Sequence, residues 1–440
     1  MRVGIALFTR DLRLHDNPAL SAACEECEAV IPLFVLDDEV LRAFGAPNRV
    51  AFLLESLRDL DRSLRERGAA LVVRRGEVVD EVVRLGAPTV YLAEDVSTYA
   101  RGREERLRDA GLEVRVSPGV TVVPPGAVTP TGGGDSFAVF TPYWNRWRHE
   151  PRRAVLDPPP AIRLPNGVDG EMQDVDVGAT SPSLLPGGET EARRRVDSWV
   201  EGGLGAYGNG RDDLADDSTS RLSAYLRFGC ISSLEVVERT FARPGGEAFV
   251  RQLCWRDFHY QLFAARPELV RDDMRPRGDR WRDDDDALAA WKDGRTGYPL
   301  VDAGMRQLRE EGFMHNRARL VTASFLTKHL YVDWRAGAEH YASLLVDADL
   351  PNNVGNWQWV AGTGADTRQN RMFNPTRQAE RYDPAGDYVR RWVPEFADVD
   401  GVAIHEPWRV GLLGAPNYPA PIVDHDEAVA RFRAARASSG

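Results

Sequence analysis

The arrangement of apolar segments in residues 1–125 constrains the fold more than any other feature of the sequence. Five short runs rich in branched residues predict strands, and longer segments of helical period, such as 49–67, lie between them. The predicted strands are 3–8, 30–36, 70–74, 90–93 and 114–116. Because strands that alternate with helices form parallel sheets with crossover connections, we expect a Rossmann-like α/β domain at 1–130. No GxGxxG follows the first strand, so the dinucleotide fingerprint is missing.

The pattern changes after this α/β region. Residues 151–188 are dense in proline and glycine, which predicts a long surface connector. Beyond it the periodicity is helical almost to the end, and strand-like runs are scarce. Ser232 and Glu235 have the spacing of a capping box, which predicts a helix start there. We therefore expect an interdomain linker at 131–190 and an all-helical domain at 191–440.

Length, charge and cysteine content limit the function classes. A chain of 440 residues exceeds the size at which a single core stops growing, so two domains are expected. The net charge of −11 does not exclude nucleic acid, because phosphate binding needs only a local basic face. No apolar run of about 18 residues predicts a membrane span, and the first residues do not resemble a signal peptide, so we expect a cytoplasmic protein. The four cysteines lack the spacing of a metal site, and we predict none.

Four groups of residues stand out as candidates for chemistry. Tryptophans are dense in the second half, and several have amide, arginine or glycine neighbours, as in NNVGNWQW (352–359), which is more typical of a ligand pocket than of plain core. Each tryptophan taken alone is more often packing. The segment STSRLSAYLRFG (218–229) clusters hydroxyls at a helix start, which suits a phosphate or an ordinary N-cap. Asn316, Arg317 and Arg319 form the third group, and the acidic pair Asp347 and Asp349 forms the fourth.

Nine ordered motifs, which cover nearly the whole chain, resemble the DNA photolyase/cryptochrome family. They are TRDLRLHDNPAL, TSRLSAYLRFG, WRDF, GRTGYPLVDAGMRQL, GFMHNRAR, DWR, LVDADLPNNVGNWQW, FNPTRQAERYDP and HEPW. Within the family, the sequence is most similar to bacterial class I cyclobutane pyrimidine dimer photolyases. The resemblance implies an enzyme, deoxyribodipyrimidine photolyase, which repairs UV-damaged DNA by electron transfer from photoexcited FADH⁻ to a flipped-out dimer.

The resemblance also implies a flavin site in the helical domain. Family members hold FAD non-covalently, and a buried arginine–aspartate pair lies beside the isoalloxazine at positions that match Arg319 and Asp347. Asn353 matches the residue that faces flavin N5, where a neutral amide can accept a hydrogen bond from N5–H. The full set of matching cofactor positions is Tyr207, Thr219, Ser220, Arg221, Leu222, Ser223, Gln252, Arg319, Asp347, Asp349 and Asn353.

Two further sets of residues follow from the same resemblance. Trp357, Trp334 and Trp281 match the electron-transfer triad, in order from the flavin to the surface. Trp255 and Trp359 match the aromatic walls against which a flipped dimer stacks, an interaction worth about 1–3 kcal/mol per base. The remaining predicted DNA contacts are Arg211, Asn316, Arg317, Leu320, Arg371 and Gln378.

Two positions depart from the cyclobutane-dimer pattern. Gln252 replaces the usual glutamate, and Leu320 replaces the usual methionine. The (6-4) photolyases also have a glutamine at the position that matches Gln252. They need two histidines at the positions that match Asn316 and Leu320, so the (6-4) class is disfavoured. The alternative that remains open is a cryptochrome-like blue-light photoreceptor without repair activity. An antenna chromophore (deazaflavin, folate or flavin) would lie in the α/β domain, and the family is usually monomeric.

Overall fold

The structure is a computed structural model, which describes residues 2–170, 172–173, 175–365, 370–399, 401–410 and 417–437. By the density of its contacts, the chain divides into two compact units. The first unit comprises Met1–Thr180, Leu185–Gly205 and Ser220–Pro267, and the second comprises Ser181–Leu184, Ala206–Thr219 and Glu268–Gly440. No helix in the described ranges combines the length and the apolar character that crossing a bilayer requires.

A five-stranded, wholly parallel sheet organises the first unit. Its strands, in chain order, are β1 Val3–Leu7, β2 Ala29–Leu36, β3 Val72–Arg75, β4 Thr89–Ala93 and β5 Glu113–Ser117. Their order in the sheet is β3-β2-β1-β4-β5, with Val3 opposite Ala29 and Gly4 opposite Thr89. The five predicted strands are confirmed to within two residues at each end. Strand and helix side chains such as Ile5, Leu33 and Leu107 form the core beneath the sheet.

Twenty α-helices are described. In chain order, α1 to α20 are Pro18–Glu26, Asp38–Phe44, Pro47–Arg65, Val78–Arg84, Thr98–Asp109, Phe140–Trp147, Glu189–Ser198, Tyr207–Gly210, Ser223–Phe228, Ser233–Thr240, Gly246–Ala265, Asp285–Lys292, Pro299–Glu311, Asn316–Ser324, Trp334–Leu344, Leu350–Ala361, Pro375–Tyr382, Asp387–Trp392, Pro407–Val410 and His425–Ala437. Two π-helical segments, Trp199–Gly203 and Phe325–Leu330, and four short 3₁₀ turns complete the set. Among the described residues no strand follows β5, so the predicted α/β and all-helical architecture is confirmed.

The predicted connector contains more structure at its start than the sequence indicated. Helix α6 lies inside the range 131–190, because Tyr143, Trp144 and Trp147 bury aromatic rings on one side of it. The described residues of 148–188 form neither helix nor strand. The domain limits at 130 and 190 themselves stay a prediction.

Candidate active site

A bidentate ion pair joins α14 to the turn before α16 in the second unit. Arg319 lies in the first turn of α14, and its Nη1 and Nη2 donate to Oδ1 and Oδ2 of Asp347 at 3.1 and 2.8 Å. Its Nε also donates to the carbonyl of Met314 at 2.7 Å. The Asp347 side chain is only 3% exposed, whereas that of Arg319 is 23% exposed. A guanidinium held by two parallel bonds and a backbone carbonyl is a fixed positive charge with one side still accessible.

The amide of Asn353 is oriented by a single backbone contact. Asn353 lies in the first turn of α16, and its Nδ2 donates to the carbonyl of Ala338 at 3.0 Å. Because the nitrogen donates to Ala338, Oδ1 is the acceptor that the amide offers to other groups. At the start of the same helix, the Asn352 amide donates to the carboxylate of Asp349. Of the predicted cofactor residues in this unit, Arg319 is paired with Asp347, and Asp349 accepts a hydrogen bond from Asn352. Asn353 offers a neutral acceptor.

The three predicted electron-transfer tryptophans differ in burial. Trp357 and Trp334 are 2% and 1% exposed, whereas Trp281 is half-buried. The Trp334 indole donates to Oδ1 of Asp273 at 2.9 Å. Trp357 packs against Gly337 of α15 so closely that a Cβ at Gly337 would lie 2.2 Å from Trp357 Cη2. Of the three, Trp281 alone has part of its side chain in contact with solvent.

Two aromatic neighbours of Trp357 are not marked by the sequence as functional. Trp291 and Tyr341 lie with ring centroids 6.1 and 4.9 Å from that of Trp357, both edge-on. The Trp291 indole donates to the carbonyl of Thr322 at 3.0 Å, and Thr322 Oγ1 is hydrogen bonded to the Tyr341 hydroxyl. No motif or spacing points to these contacts, because the residues come from three different helices.

The predicted phosphate segment is bent by two residues with left-handed backbones. Asp217 and Arg221 have φ of 43° and 49°, and such values are uncommon outside glycine. Between them, Thr219 donates its backbone N–H to the Asp217 carbonyl at 2.7 Å and its Oγ1 to the Asp217 carboxylate at 2.9 Å. Ser220 Oγ accepts the backbone N–H of Leu222 at 3.4 Å, and Ser223 begins α9. The tight bend confirms a helix start at Ser223, and α9 has no side-chain cap.

Tyr207 is buried at the start of α8. Burial raises the pKa of its phenol to about 12, so the hydroxyl stays protonated. With Thr219 it belongs to the second unit, whereas residues 220–223 belong to the first.

Arg317 is already paired within the second unit. Its Nη2 donates to Oδ1 of Asp212 at 2.8 Å, and its guanidinium lies 4.3 Å from the ring centre of Tyr382. A phosphate at this position would have to share or replace the Asp212 carboxylate. Asn316, the preceding predicted contact, is exposed at the N-terminus of α14.

The other predicted DNA contacts of the second unit differ in exposure. Arg371 is exposed, and its carbonyl accepts a hydrogen bond from the buried Lys328. Gln378 Oε1 is buried without a hydrogen bond in the described part of the chain. Arg211, Leu320 and Trp359 are half-buried.

The two site residues contributed by α11 share one face of that helix. Gln252 and Trp255 are three positions apart, a spacing that puts them side by side, and both are half-buried. One face of the Trp255 ring is covered by Phe140, with centroids 3.8 Å apart and planes 3° from parallel. Their unit also holds residues 220–223.

A buried carboxylate of the first unit that the sequence does not mark as functional is Asp257. Asp257 is 1% exposed and accepts hydrogen bonds from the N–H groups of Val122 and Val123 and from the Trp147 indole, all at 2.9–3.0 Å. Burial is the main cause that raises its pKa to about 6. The WRDF motif in which it lies is thus partly structural, because this carboxylate fastens a loop to α11.

Burial also shifts the pKa values of one histidine and one thiol. It lowers the pKa of His315, the capping residue of α14, to about 4, and raises the pKa of the Cys230 thiol to about 12. The four cysteines are free thiols. Within the described residues, no three histidine, cysteine, aspartate or glutamate side chains are arranged to hold a metal ion.

Comparison with known proteins places this geometry in a family. Residues 4–164 match the model of the DNA photolyase domain, and residues 249–438 match that of the FAD binding domain of DNA photolyase. A deoxyribodipyrimidine photo-lyase from Streptomyces griseus is 55% identical over 452 residues, which cover 99% of each chain.

Two solved structures have the same fold. A class III photolyase from Agrobacterium tumefaciens is 36% identical with a TM-score of 0.94, covering 100% of this chain and 98% of the other. An archaeal photolyase from Sulfolobus tokodaii, described with two FAD molecules, is 32% identical with a TM-score of 0.89, covering 99% and 100%. The agreement extends over both units and both family models, and this chain therefore belongs to the DNA photolyase family.

Proposed function

We propose that this chain is a light-driven DNA repair enzyme that opens cyclobutane pyrimidine dimers, with FAD as its cofactor. The relatives that support this function are deoxyribodipyrimidine photo-lyases matched over nearly their full length. The structural observation that carries it is the Arg319–Asp347 pair, a fixed and partly accessible positive charge.

The residues present fit FAD. The positive charge of Arg319, which Asp347 contacts on one side only, suits the electron-rich flavin ring. The Asn353 Oδ1 acceptor suits the N–H at the edge of that ring. Thr219, Ser220 and Ser223 offer hydroxyls for the phosphates and the ribityl chain. When bound in its reduced form, FAD supplies on illumination the electron that opens the dimer. Arg319 would keep its positive charge beside the flavin ring, and Asn353 Oδ1 would accept a hydrogen bond from the N–H at the edge of that ring.

Trp357, Trp334 and Trp281 would restore the reduced cofactor. Indole is the most easily oxidised side chain apart from a tyrosinate, so electrons can pass inward along a series of tryptophans. Trp357 and Trp334 are shielded from water, and Trp281 reaches the surface, where an external reductant can act.

Trp255 and Trp359 would stack on the extruded bases, and Gln252 would donate its amide to a pyrimidine carbonyl. Extrusion costs least where damage has already weakened pairing, which favours the lesion over intact DNA. Arg211, Asn316, Arg317, Arg371 and Gln378 would contact the strand, and Leu320 would contribute an apolar wall. The photoreceptor alternative is not favoured, since the curated relatives compared are repair enzymes.

The test uses the purified, photoreduced holoenzyme and an oligonucleotide with a single thymine dimer. We expect blue light, and not darkness, to restore the intact strand, and the damaged oligonucleotide to bind more tightly than the undamaged one. Trp281→Phe is the matched control: it should lose photoreduction but repair normally after chemical reduction. Tight binding of the dimer without repair under light would contradict the proposal, and equal binding of damaged and intact DNA would favour a photoreceptor.

We also propose that the α/β domain, at about 1–130, holds any light-harvesting chromophore, with the helical domain starting near residue 191 and the protein acting as a cytoplasmic monomer. Deazaflavin, folate and flavin remain the alternatives for the antenna. An absorption spectrum of protein from its native host, together with light scattering, would distinguish these chromophores and test the monomer.

A further inference from the structure

Trp255, the predicted stacking ring of α11, already has an aromatic partner within its own unit. The ring of Phe140 lies 3.8 Å from that of Trp255, centroid to centroid, with the planes 3° apart. This separation leaves no room for a base between the two rings, so only the opposite face of the Trp255 indole can receive one. Phe140 is 5% exposed, whereas Trp255 is half-buried. The pair is therefore a two-layer stack whose inner layer is shielded from water.

A third ring holds the Trp255–Phe140 stack from the side. Phe258, buried on the next turn of α11, lies edge-on to both rings, with centroids 5.4 Å from that of Trp255 and 5.8 Å from that of Phe140. The interplanar angles of 85° and 87° are those of the T-shaped arrangement that aromatic pairs prefer. Rotation of the indole would break the parallel contact and the edge-on contact together, so the orientation of Trp255 is fixed before any DNA binds.

An arginine of α11 lies against Phe140 as well. The Arg251 guanidinium is 5.1 Å from the ring centre of Phe140 and 5.4 Å from that of Trp144, both within the range of cation–π attraction. Arg251 precedes Trp255 by four positions, so the two side chains lie on the same face of α11. This face therefore contacts Phe140 through an indole and a guanidinium that are one turn apart.

The helix that carries Phe140 is α6, which lies in the range that the sequence predicts as a connector. Phe140 is its first residue, and Trp147 is its last. The Trp147 indole donates to Oδ2 of Asp257 at 2.9 Å, two positions after Trp255 on α11. Because this hydrogen bond fastens the far end of α6 to the same helix, α6 holds the ring of Phe140 at a fixed place on α11.

We propose that Phe140 is a positioning residue for the stacking of a flipped base on Trp255. The inference rests on the proposed function, in which Trp255 contacts the extruded dimer. Phe140 closes one face of the indole and holds it in the orientation in which the other face receives the base. A ring that is already ordered loses no side-chain freedom when the base arrives, and this raises the affinity. Undamaged DNA keeps its bases stacked in the duplex and does not reach the ring, so Phe140 increases the preference for the lesion.

The experiment is a double-mutant cycle on the holoenzyme, with dissociation constants measured for two oligonucleotide duplexes that differ only in one thymine dimer. We expect Phe140→Leu to weaken binding of the dimer about 3- to 10-fold, the scale of one lost aromatic pair, and to leave binding of the undamaged duplex unchanged. In a Trp255→Leu background, Phe140→Leu should have no further effect, because it acts through that ring. A purely structural role of Phe140 would weaken binding in both backgrounds.

A second measurement needs no DNA. Fluorine NMR of the holoenzyme labelled with 5-fluorotryptophan gives a line for Trp255, which is assigned by its loss in Trp255→Leu. Phe140→Leu should shift this line, because the ring current of the stacked phenyl group is removed.

Phe137→Leu is the matched control. Phe137 is 7% exposed, and its ring contacts Tyr143, with centroids 5.7 Å apart, and the Arg146 guanidinium. Its replacement should therefore leave both the preference for the dimer and the fluorine line of Trp255 unchanged. Flavin absorption and thermal melting check that each variant is folded, and Phe140→Met takes the place of Phe140→Leu if the latter does not fold.

Two results overturn this inference and leave the proposed repair function intact. One is a loss of dimer binding in Phe140→Leu that is no larger than in Phe137→Leu. The other is an equal loss with and without the Trp255 ring. A wild-type protein that binds the damaged and the undamaged duplex equally contradicts the proposed function itself, and with it this inference.

Discussion

At the scale of single residues, Gln252 and Leu320 are where the chain departs from its family's dimer-binding pattern. Gln252 is half-buried on the same face of α11 as Trp255, whose other side is stacked on Phe140. An amide can donate to a pyrimidine carbonyl but cannot supply a negative charge. At the proposed lesion contact, Gln252 would therefore support binding of a dimer more than stabilisation of the dimer radical.

Gln252→Glu tests this difference. We expect the variant to keep or raise the quantum yield of dimer repair, because it restores the ionisable group that the family usually has. The measurement is repaired strands per absorbed photon, with Gln252→Ala for comparison. Complete loss of repair in Gln252→Glu would show that this residue does not face the lesion.

Arg317→Ala tests the predicted phosphate contact. We expect weaker binding of dimer-containing DNA and a slope of log K against log salt that is smaller by about 1, since one phosphate contact is lost. Arg309, an exposed arginine that donates to Asp293, provides the control of equal charge. If Arg309→Ala changes the slope as much as Arg317→Ala, the effect is one of net charge and the contact is refuted.

At the scale of elements, several family motifs turn out to hold the chain together. In TRDLRLHDNPAL, the buried Arg13 donates to the carbonyls of Asp16, Gly119 and Gly229 at 2.8–3.0 Å, and Asn17 caps α1 through a bond to Leu20 N–H. The predicted capping box is only half formed. Ser232 Oγ accepts the Glu235 N–H at 3.3 Å, but the Glu235 carboxylate accepts from Arg193 instead of closing the box.

The packing of α15 against α16 depends on Gly337. An alanine Cβ there would lie 2.2 Å from Trp357 Cη2 and 2.6 Å from Leu326 Cδ2. We expect Gly337→Ala to lower the free energy of unfolding by about 1–3 kcal/mol, which outweighs the helix preference of alanine. Gly102→Ala in α5 is the matched control: its Cβ would meet only the end of the Arg106 side chain at 3.6 Å, so a small gain is expected. Denaturant unfolding measures both, and equal effects would contradict this account of the packing.

At the scale of the whole molecule, buried imidazoles couple stability to pH. His329 is fully buried and bonded to His425 at 3.0 Å, and burial is the main cause that lowers its pKa from 6.5 to about 3. A histidine with a lowered folded-state pKa contributes stability that is complete above its unfolded pKa and is lost as the pH falls towards the folded value.

Because of His329, the free energy of unfolding should therefore fall by about 2 kcal/mol as the pH is lowered from about 6.5 to about 5. His329→Asn should reduce this pH dependence by that amount, whatever its effect at neutral pH. The measurement is the free energy of unfolding against pH at saturating FAD, with the exposed His149→Asn as control. Parallel curves for wild type and His329→Asn would refute the assignment.

The sequence alone determined the α/β and helical architecture, and through its motifs it also predicted the flavin, tryptophan and DNA residues. Strand and helix periods are local, so β1 to β5 and α3 can be read within a few residues of their limits. Tertiary structure alone decided that Trp357 rests on Gly337, that Arg317 is held by Asp212, and that Tyr331 meets Trp281 and Asp279. These partners are 20 to 105 positions apart in the chain, and no local period encodes such contacts, because they arise only when separately formed elements pack.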